Sequence, residues 1–209
     1  MRRLFTRRRP EPVASTRELA DFLAAQSAYV SQRTVLEYCR ARTGLNWDKL
    51  FKEQAFVDSL EICRWEAYAA VLAEIAELVL IRLRSQGVTE VDACLPGLEE
   101  AARSALLRHP VPRHRTSWDE ACADIERHLG RALLAEPRAV HFVGIGAADA
   151  IFDLLPIHPD LRPHDRTMFQ NIVRFSLCRV FADVRQRLDV PALEVALWRE
   201  ATEAGAAEA

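Results

Sequence analysis

Between Asn46 and Gln86 the chain has neither glycine nor proline. A run of 41 residues without a helix breaker reads as one long helix, roughly 60 Å at 1.5 Å per residue. A second such stretch, Val13 to Thr43, precedes it, and only Gly44 and Leu45 stand between them. Long helices joined by so short a link fold back as a hairpin or diverge as a bent pair. The expected fold is all-α: a single-domain bundle of six or seven helices built on a long antiparallel hairpin. It is expected to occupy residues 15–204, with a flexible basic arm at 1–14 and a disordered tail at 205–209.

Other absences exclude whole classes of function. The five cysteines, Cys39, Cys63, Cys94, Cys122 and Cys178, include no Cys-x-x-Cys pair. Their odd number and scatter fit unbridged, mostly buried thiols in a reducing cytosol. No apolar segment follows the early arginines, because Pro10, Glu11 and Pro12 interrupt, so no secretory signal is expected. The most apolar stretch, Ala67 to Leu83, carries Glu74 and Glu77 mid-segment and is too short to be read as a membrane span. Gly-x-Ser-x-Gly and Glu-x-x-His are both missing. Formal net charge is only −2, so the global field selects no partner.

What is present is helical punctuation and periodicity. Ser15 and Glu18 form a capping box that opens the first helix. Leu19, Phe22, Leu23, Tyr29, Val30 and Leu36 follow at helical spacing, and Gly44 is a plausible stop. The second helix, from Asn46 or Trp47, carries the stripe Tyr68, Val71, Leu72, Ile75, Leu78, Val79 and Leu83. Glu66, Ala73, Glu77 and Arg84 lie on its other side. Further helices are expected from Leu95 to His109, from a capping box at Ser117 to Ala135, over Ala139 to Leu155, from Asp165 or Thr167 to Leu188, and from Pro191 through Trp198.

Four constellations bear on chemistry. The run from Val140 to Gly146 resembles the opening of a dinucleotide turn, but Asp149 in the third slot would repel a pyrophosphate. Gly144 with Ala148, and Gly146 with Ala150, read instead as small faces for close helix packing. His109, His114, His158 and His164, with Asp160 and Asp165, match no zinc spacing. No metal and no cofactor is expected; His158 and His164 are the nearest to a metal pair. The third constellation is a polar interruption of the long helices: Gln26, Tyr29, Arg33 and Glu37 on the first, Glu61 and Arg64 on the second, beside Trp65. In a hairpin Tyr29 would meet Glu61 and Gln26 would meet Arg64. Such a set is a register-fixing polar network, a ligand or partner groove, or an acid–base pair with shifted pKa values. The fourth is the arm, where Arg2, Arg3, Arg7, Arg8 and Arg9 surround Leu4 and Phe5. Each basic residue near an anionic membrane contributes about 1 kcal/mol. Arg166, Arg174, Arg179 and Arg185 share no face and no aromatic platform, so a nucleic-acid partner is not favoured.

The size, helical pattern and basic start invite comparison with one-domain helical transcription regulators. The breaker-free run through Arg42 leaves no turn for their DNA-reading motif. The expected function is therefore a non-enzymatic helical interaction module, an adaptor, assembly factor or accessory subunit. Its partner would be another protein or a second copy, and it would be cytoplasmic, docked at the inner face of a membrane through the arm. The alternatives are a small-ligand-binding protein or enzyme with an interhelical pocket lined by Tyr29, Glu61, Arg64 and Trp65, and nucleic-acid binding through the arm.

Overall fold

The computed structural model describes residues 11–207, with side chains as far as Thr202. The arginines of the arm, Arg2 to Arg9, lie outside the described residues. Helix α1 spans Thr16–Thr43. The Ser15 hydroxyl accepts from the Glu18 amide at 3.3 Å, as the capping box requires. The Glu18 carboxylate reaches one residue further back than expected, to the Ala14 amide at 2.9 Å. The expected arm is shorter than residues 1–14. Val13 is fully buried, its amide donates to the Arg187 carbonyl at 2.8 Å, and its carbonyl accepts from Asp189 at 3.0 Å. An apolar residue with a pairing site on each side of Leu188 does not stay in solvent.

The expected second helix is corrected at its start. A four-residue helix α2, Trp47–Leu50, turns a corner through Phe51 to Glu53 before α3 begins, Gln54–Ser85. No glycine or proline makes this corner. Aromatic packing does: the Trp47 and Phe51 rings lie 3.9 Å apart, and Phe51 and Phe56 5.7 Å apart. Helix propensity carries no record of such contacts, which is why the break was invisible in the sequence.

Helix α3 is the central post. It packs on α1 more extensively than any other two helices pack, and also on α4 (Val91–Leu107), α5 (Asp119–Leu134), α6 (Ile145–Leu154) and α7 (Arg166–Arg187). Every residue of its predicted stripe is buried. Helix α4 starts earlier than Leu95, which leaves Pro96 inside it and not in its first turn. Ser117 does not complete a second capping box. Its hydroxyl accepts from the Asp119 amide at 3.2 Å, and Trp118 takes the cap position with its indole on the His109 carbonyl at 3.1 Å. Helix α8, Val190–Ala207, runs past Trp198 into the segment expected to be a disordered tail. Among the described residues the fold is an all-α bundle of seven helices of ten residues or more, two of them longer than 24 residues. No helix among them is long and apolar enough to cross a membrane.

The helix expected from Ala139 begins only at Ile145: Val140–Phe142 is a short 3-10 turn, and α6 (Ile145–Leu154) follows Gly144 at φ +86. A side chain on Gly144 would strike Leu177 of α7. Gly144 is therefore the left-handed cap of α6 lying against α7, and not, as expected, part of a helical face with Ala148. Gly146 differs, with nothing within 4 Å of a built Cβ, because it opens on a cavity.

Candidate functional site

Three helices present small residues toward one another: Ala69, Ala70 and Ala73 on α3, Ala121 and Ala132 on α5, and Gly146, Ala147 and Ala150 on α6. Backbones held apart by the helices' other contacts, with little side chain between them, leave a cavity of about 640 Å³. This is the side of α3 opposite its apolar stripe. Its floor is polar. Glu74 and Glu77 stand one turn apart on α3, and their side chains are only 7% and 4% exposed.

Glu77 is fully engaged. Arg138, in the loop after α5, spans it with Nε 2.6 Å from Oε1 and a terminal nitrogen 2.5 Å from Oε2. His128 of α5 brings Nε2 to 2.7 Å from the same Oε2. Burial pushes the Glu77 carboxyl up, but the hydrogen bonds from His128 and Arg138, with their charges, outweigh it and hold the group at about 2. Glu74 is less well served. Its Oε2 accepts from the Gly144 amide at 2.9 Å, while Arg138 and His128 come only to 3.5 and 3.9 Å. Burial, with the Glu77 charge added, raises this carboxyl above the ordinary carboxylate range. Two neighbouring carboxyls are therefore driven in opposite directions, the pattern that separates a proton donor from a proton acceptor.

Further ion pairs and hydrogen bonds hold Glu66, Arg84 and Arg115 along the cavity lining. Glu66 is held bidentately by Arg115, at 2.7 and 2.6 Å, with His114 at 2.7 Å. Burial pushes Glu66 up, and those bonds bring it below its ordinary value. Arg84 donates to the Ala132 and Ala135 carbonyls at 3.0 and 3.3 Å, satisfying the C-terminal end of α5. Arg131 and Glu136 line the cavity without an ion pair among the described residues.

The residues singled out from the sequence are only partly brought together. Glu61, Arg64 and Trp65 line a second, smaller cleft of about 280 Å³, between α1 and α3. Gln26, Tyr29 and Arg33 do not line it. Gln26 reaches 3.5 Å to Asp183 of α7. Tyr29 is 51% exposed and accepts from Arg33 at 2.5 Å, and Arg33 pairs with Glu37 at 3.0 Å, forming a ladder along the surface of α1. The expected Tyr29–Glu61 and Gln26–Arg64 contacts are absent among the described residues. The side of α1 at this cleft is Ala28, Ser31 and Gln32, so Tyr29 and Arg33 are turned away. Glu61 is exposed, and Arg64 buries its Nε without a hydrogen-bond partner among the described residues. Trp65 instead packs edge-on to Tyr68, His109 and Trp118, at 6.1, 5.4 and 6.0 Å between ring centroids. A double-mutant cycle on Glu61 and Arg64 should give coupling below about 0.5 kcal/mol. Coupling of about 2 kcal/mol would restore a buried pair.

The histidine set also separates. His158 is 69% exposed beside Asp160, His164 is exposed, and buried Asp165 is taken by the Tyr38 hydroxyl at 2.7 Å and by Arg42. Cys39 and Cys63 are packing thiols, both pushed up to about 12 by burial. The group of histidine and carboxylate donors that does converge among the described residues is Glu74, Glu77 and His128. In the sequence, Glu74 and Glu77 stood out as obstacles to a membrane span, and Glu77 as lying on the side of its helix away from the apolar stripe. Two acids at i and i+3 inside an apolar run were the available signal; nothing in the sequence joins them to His128, 51 positions beyond Glu77. No family model, no curated protein and no solved structure matches this chain.

Proposed function

We propose that the chain is a small-ligand-binding protein whose site is the cavity between α3, α5 and α6. The observation that carries this reading is a pair of buried carboxyls, Glu74 and Glu77, met by half-buried His128 and partly exposed Arg138 on the wall of a cavity of about 640 Å³. Burying charge is expensive, and an apolar core of similar volume is often at least as stable. Alanine-rich walls with a few convergent polar groups and displaced pKa values are the features of a small-molecule site, and the volume lies within the usual range of about 300–1,000 Å³.

Ala150 lines the cavity and is exposed at its mouth, so Ala150→Trp should fill the entrance without disturbing the core. Wild type and variant would be purified in parallel and denatured, and the released small molecules identified by mass spectrometry. The wild type should release a compound that the variant lacks, at equal thermal stability. Identical extracts from the two proteins would contradict the proposal.

A further inference from the structure

We propose that Glu74, Glu77 and His128 form a divalent metal site, open toward the cavity, that takes Zn²⁺ or a similar first-row ion. This deepens the cavity reading by naming what its polar floor holds. One donor atom from each residue lies within 4.8 Å of the other two. Small rotations of three side chains bring such a set to metal–ligand distances of about 2.0–2.2 Å. The scaffold is suited to this: Glu74 and Glu77 are one turn apart on the most enclosed helix of the bundle, and His128 arrives from α5.

Charge and hydrogen bonding point the same way. Two carboxylates face a single guanidinium, and Arg138 spends its bidentate contact on Glu77. The Glu74 side chain is more than nine-tenths buried and lines the cavity, yet its Oε1 accepts no hydrogen bond among the described residues. This oxygen faces the cavity, where an entering cation can reach it. The Gly144 amide on Oε2 holds the carboxylate in place, as an outer hydrogen bond does around a metal ligand. Arg138 is the member of the cluster carried on a loop, and its side chain is 42% exposed. It can withdraw to solvent as an ion enters and supplies the positive charge. Three protein donors leave coordination positions open, the arrangement of sites whose metal also binds a ligand.

The test is calorimetric titration of Zn²⁺ into the chelator-treated full-length protein, with Co²⁺ absorption as a second probe. Wild type should bind one equivalent and show d–d bands. Glu74→Gln and His128→Asn, each confirmed folded by circular dichroism, should each weaken binding by more than about 100-fold, the most that loss of an outer hydrogen-bond partner typically costs. Arg138→Met should tighten it, since a competing cation is gone; a purely structural cluster would not respond so. Unchanged stoichiometry and affinity in Glu74→Gln and His128→Asn would place the ion elsewhere, for example on exposed His158 and Asp160, and would overturn the proposal. So would no binding by wild type. A wild type that carries an organic compound but takes no Zn²⁺ loses the metal site and keeps the cavity reading. Zn²⁺ binding with no compound released does the reverse.

Discussion

Arg138→Ala should destabilise the metal-free protein by about 2 kcal/mol at neutral pH, and by clearly less at pH 5. Removing one partner of a buried pair strands the other, which costs about 3–5 kcal/mol when both are enclosed. Arg138 is partly exposed, and His128 still meets Glu77 after its removal, so the loss falls below that range. The pH dependence follows from the two carboxyls. Glu77 is held at about 2, below its ordinary 4.5. Its contribution is therefore full above about 4.5 and is lost as pH falls toward 2. Glu74 is raised, so its contribution has the opposite sense: present below its ordinary value and lost as pH rises through its folded one. Without Arg138 both groups are pushed up, and protonation relieves the stranded charge in mild acid. Urea unfolding at pH 5 and pH 8 measures the difference. Equal losses at both, or a loss under about 1 kcal/mol at pH 8, would mean that the cluster is not coupled as described.

Gly97→Ala should also destabilise, by about 2 kcal/mol, against the usual sign. In an exposed helix interior this exchange stabilises by about 1 kcal/mol. Here a Cβ on α4 would meet the backbone of Leu197 on α8, with the Leu197 Cα only 2.8 Å away. A backbone cannot rotate aside as a side chain can, so the two helices must part, and overpacking of this kind costs about 1–3 kcal/mol. Leu193 and Leu197 of α8 are fully buried and would lose contacts with α4. Denaturant midpoints of the two proteins decide the sign, and a more stable alanine variant would refute the close α4–α8 contact.

The helical class and the central stripe were legible because they are local properties. Tyr68, Val71, Leu72 and Ile75 repeat at the period of one helix, and Ser15 caps by a rule that spans three residues. What the sequence hid depends on distance. The corner at Phe51 is made by rings meeting across a turn. The arm ends early because Val13 finds Leu188. The cavity exists because alanines on α3, α5 and α6 face one another, and each alanine alone reads as an ordinary helix former. Glu77 was placed correctly, on the side of α3 away from the stripe. Only the fold shows that this side is enclosed and that Arg138 and His128 meet Glu77 there. The groove built on Gln26, Tyr29 and Arg33 failed because α1 turns Ala28, Ser31 and Gln32 toward that cleft and leaves Tyr29 on its exposed side.

The central claim is that the cavity between α3, α5 and α6 holds a ligand against its buried polar floor. Its most direct measurement is a crystal structure of the protein purified from its own cells without chelator. The expected result is density larger than water in the cavity, in contact with Glu74 or His128. A cavity filled only by ordered water, with Arg138 still spanning Glu77, would contradict it.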